Sequence, residues 1–201
     1  MDMKTEEKKA DETRALILQA AMTRILHYGY GKTTMAEIAR DCDMSAGNIY
    51  RFFASKLDIA EALAWKKHGL LMTELSRIAS DTGKPAPERL RALLWRHMQY
   101  WFDLVAKDDK VLEIAEVLER ERPGFVRDEA RLQRKHFVRI LEDGVKSGEF
   151  APIDDTELMA DTIQTATMKF CYPTLLSKVP RERLEDEMRR VSDLILRGLS
   201  S

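Results

Sequence analysis

One stretch decides the fold of this chain: TMAEIARDCDMSAGNIYRFF, which occupies residues 34 to 53. Thr34 is followed three residues later by Glu37, the capping-box spacing that begins a helix by satisfying free backbone N–H groups from both sides. Ser45 is a favourable N-cap for a second helix, which we predict over residues 46 to 53. The stretch therefore predicts two short helices joined by a tight turn.

The second helix carries small and polar residues on the side that its apolar residues leave exposed. Ile49, Phe52 and Phe53 form its apolar side. A helix that enters the major groove of DNA must be narrow at its tip and must offer hydrogen-bonding side chains there. Gly47 costs roughly 1 kcal/mol in a helix relative to alanine, so we expect it to permit close approach to the first helix or to a DNA backbone. The pattern predicts a sequence-specific DNA-binding protein.

The residues on either side extend this motif into a larger head. Apolar residues at helical spacing predict a helix over residues 17 to 28, which Gly29 terminates. Ser55 and Asp58 form another capping signal, which begins a long helix toward Ser80. We therefore expect a three-helix head and a long connecting helix within the first eighty residues.

The head resembles the TetR (tetracycline repressor) family of bacterial transcription regulators over roughly residues 14 to 57. The matching residues are Gly29-Tyr30, Thr33-Thr34, Ile38-Ala39, Met44-Ser45, Gly47, Ile49-Tyr50, Phe53 and Ser55-Lys56. Asp43 departs from the pattern, since the family commonly has glycine at this turn position. Aspartate tolerates left-handed geometry better than most residues, so we expect a slightly strained turn and an intact fold.

The resemblance implies DNA-binding roles by position. It places four residues in the groove: Ser45, Ala46, Asn48 and Arg51. It places four others at phosphates: Thr33, Thr34, Tyr50 and Lys56. Asn48 and Arg51 are the best candidates for base edges, because asparagine suits adenine and arginine suits guanine in bidentate contacts. Packing and helix capping are the alternative roles for Tyr50 and Thr34.

Composition limits the remaining possibilities. The net charge is −1, from 33 basic and 34 acidic residues, which argues against a protein that coats nucleic acid nonspecifically. No stretch approaches the roughly twenty apolar residues of a membrane span. The N-terminus is charged and lacks a secretory apolar segment. We therefore expect a cytoplasmic protein with no membrane partner.

No pattern of a metal, cofactor or catalytic site stands out. The two cysteines, Cys42 and Cys171, lie far apart and without metal-ligand spacing. Both read as small buried apolar residues, and a redox role for Cys171 stays open. The four histidines are dispersed, and neither a glycine-rich phosphate loop nor a G-x-S-x-G elbow occurs. The sequence predicts no metal site, no cofactor and no enzymatic activity.

Beyond a linker at residues 81 to 87 the pattern is helical throughout. We predict five helices there: residues 88–105, 110–121, 126–147, 156–176 and 181–199. The fold class is therefore all-α, with about nine helices. We expect a TetR-type helix-turn-helix DNA-binding domain over residues 11–71 and a larger helical domain for ligand binding and dimerisation over residues 72–201.

The last two predicted helices are candidates for a dimer interface. Both combine apolar positions with charged flanks. In the family, the corresponding pair forms a four-helix interface with its symmetry mate. A helix-turn-helix also reads a palindromic operator best as a two-fold dimer. The alternative is that these apolar residues form intramolecular core.

An effector pocket is the other expected feature of the second domain. Aromatic and methionine side chains with a few hydroxyl groups suit a small, mostly apolar ligand. The candidate contact residues are Trp95, Met98, Trp101, Phe102, Thr162, Thr165, Met168 and Tyr172. The alternative is that these residues are plain core.

Together these features predict a ligand-responsive repressor that binds a palindromic double-stranded DNA operator as a homodimer. Ligand binding would change the separation of the two recognition helices and so release the DNA. A regulator controlled by a protein partner instead of a small molecule is the alternative function. An enzyme is a more distant one. Whether the protein represses or activates depends on the position of its operator.

Overall fold

This computed structural model describes residues 3 to 200. These residues form eleven helices joined by loops, and they contain no strand. In chain order they are α1 (Met3–Tyr28), α2 (Met35–Asp41), α3 (Ala46–Ile49), α4 (Lys56–Ser80), α5 (Ala86–Lys107), α6 (Lys110–Glu121), α7 (Pro123–Ser147), α8 (Thr156–Ala166), α9 (Met168–Cys171), α10 (Pro173–Leu176) and α11 (Arg181–Leu199). The all-α prediction is confirmed. Within the described residues, no helix is both long and apolar enough to cross a membrane.

The chain divides into two compact units. The first comprises Met1–Lys67 with Asp108–Arg122, and the second comprises His68–Lys107 with Pro123–Ser201. The first unit therefore includes α6, which a contiguous boundary at residue 71 would place in the second.

The first unit has the predicted three-helix head. Its core consists of fully buried aliphatic side chains from α1, α2 and α3, among them Ile25, Ile38 and Ile49. The prediction that the second helix of the motif continues to residue 53 was wrong, because α3 ends at Ile49. Directly after Ile49, bonds to the third residue back replace helical ones: the Arg51 N–H donates to the Asn48 carbonyl at 3.1 Å, and the Phe52 N–H donates to the Ile49 carbonyl at 3.0 Å.

The second unit packs around α5, which buries most of one face. Its core draws on α4, α5, α7, α8 and α11, and its largest fully buried side chains are Leu71, Leu75, Leu90, Leu93, Leu94, Phe137 and Ile140. Gly144 of α7 is required for this packing, because a Cβ atom there would lie 2.2 Å from the Phe150 ring. Large and small residues thus interlock across the core.

The helix predicted over residues 156 to 176 is a set of three, α8, α9 and α10, and that prediction was wrong. The first break is at Thr167, whose hydroxyl donates to the Ile163 carbonyl at 2.7 Å and competes with the helical backbone. The second is at Tyr172, which is extended (φ −106°, ψ 119°) because it precedes Pro173. These breaks account for eleven helices where about nine were expected.

Candidate nucleic-acid interface

The first helix of the motif, α2, is fixed at its start by the predicted capping box. The Glu37 N–H donates to Thr34 Oγ1 at 3.3 Å, and the Thr34 N–H donates to Glu37 Oε2 at 3.0 Å. The Thr34 hydroxyl also donates to Glu37 Oε2 at 2.8 Å, and this bond, together with the one from the Thr34 N–H, lowers the pKa of the Glu37 carboxyl. Arg24 of α1 donates to Asp41 at 2.6 and 2.9 Å and lowers the pKa of that carboxyl in turn. Both ends of α2 are thereby held, the second of them directly against α1.

The turn between α2 and α3 has the strain expected from its sequence. Asp43 has a φ of 54°, the left-handed region that favours glycine, and it is the one non-glycine residue with positive φ among residues 3 to 200. The Met44 N–H donates to the Ala39 carbonyl at 2.9 Å and closes the end of α2. The turn therefore keeps its geometry with aspartate in place of glycine.

Helix α3 presents a small, polar side to solvent. Ser45 caps it by accepting the Asn48 N–H at 3.2 Å. The side chains of the predicted groove residues are exposed, apart from half-buried Asn48, and Tyr50 is 53% exposed. A Cβ atom on Gly47 would meet nothing within 4 Å, so close packing on α2 does not explain this glycine. This narrow surface leaves room for a DNA backbone or base edge.

Thr33 and Lys56 are engaged inside the head. Thr33 is only 1% exposed, and its hydroxyl donates to the Gly29 carbonyl at 2.9 Å. The Lys56 ammonium donates to the carbonyls of Tyr30 and Thr33 at 2.6 and 2.7 Å and lies 4.1 Å from the Tyr30 ring centroid. Burial lowers the pKa of this ammonium. Both side chains hold the loop before α2, and their phosphate contacts stay predictions.

Several residues that position this interface could not be identified from local sequence patterns. Arg14 of α1 donates to the Phe52 carbonyl at 2.6 Å and stacks 4.3 Å from the centroid of the Phe53 ring. It therefore supports the chain directly after α3. Since 38 residues separate Arg14 from Phe52, no local pattern identifies this contact.

Helix α6 provides further supports within the same unit. The Gly31 N–H donates to Glu113 at 3.2 Å, and Lys110 donates to the Leu26 and His27 carbonyls at 3.3 and 3.0 Å. A Cβ atom on Gly29 would lie 2.7 Å from the Glu113 carboxylate, so only glycine leaves room for this side chain. Glycine also adopts the φ of 88° at this position without steric cost. These bonds attach α6 to the end of α1 and the loop after it.

The candidate effector residues of the second unit separate into two groups. Met98 and Trp101 of α5 are buried, and Trp95, Phe102 and Tyr172 are half-buried. The α8 residues Thr162 and Thr165 are exposed, as is Met168 of α9. The structure therefore gathers the α5 residues in the core but leaves those three at the surface.

Burial disfavours the thiolate form of both cysteines, which is the reactive one. Burial raises the pKa of Cys171 to about 12 and also raises that of Cys42. Across residues 3 to 200, no three histidine, cysteine, aspartate or glutamate side chains converge as they would around a metal ion.

Two protein sequence families match different parts of the chain. Residues 17–63 match "Bacterial regulatory proteins, tetR family", and residues 86–192 match "Tetracyclin repressor-like, C-terminal domain". The first match covers the helix-turn-helix, and the second covers more than half of the chain.

Individual relatives agree with these matches. The HTH-type transcriptional repressor KstR2 of Mycobacterium tuberculosis is 25% identical over 163 residues, which are 79% of this chain and 80% of that protein. SmeT, the repressor of the Stenotrophomonas maltophilia multidrug efflux pump SmeDEF, superposes with a TM-score of 0.68 at 19% identity, covering 94% of this chain and 90% of SmeT. Thermus thermophilus FadR in complex with lauroyl-CoA superposes with a TM-score of 0.68 at 20% identity, covering 94% and 95%.

Proposed function

The chain belongs to the TetR family of DNA-binding transcriptional regulators and is not an enzyme, and from this premise we propose that it is a ligand-responsive repressor that binds a palindromic operator as a homodimer. The observation that carries the proposal is the exposed polar side of α3, from Ser45 to Arg51. KstR2, SmeT and FadR are each named as repressors, which supports the same direction of regulation here.

In the proposed complex, Asn48 and Arg51 read base edges while Ser45, Ala46 and Gly47 allow α3 to approach the groove closely. Thr34 and Tyr50 are both exposed, and we expect their side chains to contact phosphates. Lys56 has two of its three ammonium hydrogens engaged with carbonyl groups, so one remains for a phosphate. The Thr33 hydroxyl donates to the Gly29 carbonyl and its backbone N–H donates to the Tyr30 carbonyl at 3.2 Å, so a phosphate contact would have to replace one of these bonds.

The direct test of DNA recognition is selection of genomic fragments by the purified protein, followed by binding to variants of the selected operator. Asn48→Ala is expected to relax discrimination at one operator position by roughly 1–3 kcal/mol. Arg40→Ala is a suitable control, since this exposed residue of α2 has no proposed base contact. If Asn48→Ala discriminated among all operator variants as the unchanged protein does, the assigned base-reading surface would be wrong.

Dimerisation is supported by apolar side chains that the single chain leaves exposed. Leu158 of α8 is 62% exposed and Leu194 of α11 is 72% exposed. Burial of such side chains in a two-fold interface is favourable, at about 25 cal/mol for each Å² of apolar surface. We propose that α8 and α11 form the interface, with Thr162 and Thr165 on the same side of α8 as Leu158.

For the effector we propose a small, mostly apolar molecule that binds within the second unit. The FadR structure contains lauroyl-CoA, and we choose this compound as the first probe for its apolar lauroyl chain, although its CoA part is charged. Because α4 is continuous from Lys56 to Ser80, a ligand that displaces its later turns would also move its first turn. An effector that favours the wrong separation of the two heads would release the operator. Saturating lauroyl-CoA is expected to lower operator affinity, and unchanged affinity would contradict this choice of effector.

A further inference from the structure

Two buried polar side chains lie one turn apart on α5 without partners. His97 is 3% exposed, and Trp101 four residues later is 9% exposed. Among the residues that the structure describes, neither ring nitrogen of His97 nor Nε1 of Trp101 has a hydrogen-bond partner. Residues four apart occupy the same face of a helix, so the two side chains adjoin one another.

Such atoms are unusual in a packed core. More than nine in ten buried polar groups are hydrogen-bonded, because an unpaired one loses its bonds to water and gains nothing in return. Here three buried nitrogen atoms on one face of α5 lack hydrogen-bond partners within the described part of the chain. Since phenylalanine or leucine would fill the same space without it, packing alone does not explain either side chain.

The chemistry of these nitrogens restricts what could pair with them. An indole N–H only donates, so the partner of Trp101 must be an acceptor. Burial, and then the nearby charge of His68, lowers the pKa of His97 to about 3. His97 is therefore neutral at physiological pH and offers one donor and one acceptor.

The charges around this position do not favour an anion. His68 of α4 is held by Glu129 of α7, with Nδ1 and Oε1 2.7 Å apart. The negative field of this carboxylate reaches the side chains of Tyr100 and Cys171. A carboxylate placed beside His97 would therefore meet a neutral imidazole, and the positive charge of His68 that acts on His97 is offset by the paired Glu129 carboxylate.

We propose that His97 and Trp101 form the polar end of the effector site, and that they bind an uncharged carbonyl or hydroxyl oxygen on an otherwise apolar molecule. This inference rests on the proposed ligand response and adds the chemical class of the ligand and the residues that recognise it. The oxygen accepts from Trp101 Nε1 and from the protonated nitrogen of His97, and a hydroxyl can also donate to the other nitrogen.

The test uses three probes of equal chain length, 2-decanone, 1-decanol and decanoate, with the full-length protein and without DNA. Calorimetry at neutral pH is expected to show that the ketone and the alcohol bind and that the carboxylate binds more weakly. In His97→Leu and Trp101→Phe, affinity for 2-decanone is expected to fall about three- to tenfold, the effect of one lost neutral hydrogen bond. Affinity for decanoate should be unchanged.

Glu88→Leu is the control, because it makes a polar-to-apolar change at an exposed position on a different face of α5. It should leave affinity for all three probes unaltered. The proposal is overturned if none of the probes binds, if decanoate binds as tightly as the ketone, or if neither site variant weakens the ketone.

Two further measurements do not depend on affinity. The melting temperatures of both site variants without ligand are expected to equal or exceed that of the unchanged protein, because an unpaired polar group has been removed. A clear decrease in both would show that these nitrogens are paired within the protein, contrary to the proposal. The indole N–H resonance of Trp101, assigned by its loss in Trp101→Phe, should move on addition of 2-decanone, and an unmoved resonance opposes the proposal.

Failure of this inference is distinguishable from failure of the proposed function. Every measurement above is made without an operator, so the site can be established even if no genomic fragment is selected. The converse outcome is that lauroyl-CoA releases the operator from both site variants just as it does from the unchanged protein. That result would support the repressor function and would show that His97 and Trp101 do not recognise the ligand.

Discussion

At the scale of single residues, Asp43 introduces backbone strain and His97 introduces buried nitrogen atoms without hydrogen-bond partners among the described residues. Asp43 holds a left-handed conformation in the turn before α3, and His97 keeps a neutral imidazole in the core of the second unit. Both features oppose folding, the first through backbone sterics and the second through loss of hydration. Each therefore has a measurable effect on the free energy of unfolding.

Asp43→Gly is expected to raise the free energy of unfolding by about 0.5–1 kcal/mol, because glycine adopts positive φ without steric cost. Asp43→Val should lower it by roughly 1–2 kcal/mol, since a β-branched side chain is poorly tolerated there. Urea denaturation followed by circular dichroism measures both changes. Equal stability of the two variants would mean that the turn relaxes out of the left-handed region.

His97 is expected to make the protein less stable in weak acid. Its pKa is about 3 when folded and about 6.5 when unfolded, so below pH 6.5 the unfolded chain binds a proton that the folded chain does not. Stability is therefore lost as the pH falls from 6.5 toward 3, with a slope of roughly one proton. His97→Leu should remove this part of the slope in denaturation curves at pH 7, 6 and 5. A slope unaffected by the substitution would contradict the burial of a neutral imidazole.

At the scale of helices, α6 is the element whose role depends most on distant contacts. Its first turns bind the end of α1 and the following loop through Lys110 and Glu113. Arg122, directly after α6, forms ion pairs with Asp58 and Glu61 of α4. The helix therefore packs with the DNA-reading head, although the second-unit segment His68–Lys107 precedes it in the chain.

Glu113→Ala is expected to loosen this head, because it removes the acceptor of the Gly31 N–H and a carboxylate near Lys56. Hydrogen exchange at Gly31 should become faster, and stability should fall by roughly 1 kcal/mol. Glu116→Ala provides the control, since this neighbouring glutamate of α6 is exposed. Identical exchange in the two variants would show that the Glu113 contact does not restrain the loop.

For the whole molecule, the decisive property is the proposed association of two chains. A single helix-turn-helix contacts one half-site, and the operator is bound tightly only when two heads act together. The exposed leucines of α8 and α11 provide apolar surface for this association.

Leu194→Arg is expected to yield a monomer, because it places a charge in the proposed interface. Operator affinity should fall about a hundredfold or more as the two heads become independent. Analytical ultracentrifugation and operator binding measure the two effects. Leu132→Arg is the matched control, an exposed leucine of α7 outside the proposed interface that should leave the dimer intact. A Leu194→Arg protein that still sedimented as a dimer would place the interface elsewhere.

The local sequence by itself determined the all-α fold, the helix-turn-helix, and the starts of α2, α3 and α4. Capping residues such as Thr34 and Ser45 act through backbone groups three residues away, and Gly29 and Asp43 act on their own φ angles. These effects need no distant partner, so a pattern of nearby residues suffices to predict them. The exposed polar side of α3 follows for the same reason.

Only the tertiary structure decided which of these residues are free to act. Lys56 donates hydrogen bonds to two carbonyl groups 23 and 26 residues away, and Glu113 accepts one from a backbone N–H 82 residues away. The unpaired nitrogens of His97 likewise depend on which helices surround α5. Such contacts are set by packing between elements distant in the chain, and no periodicity in the sequence records them.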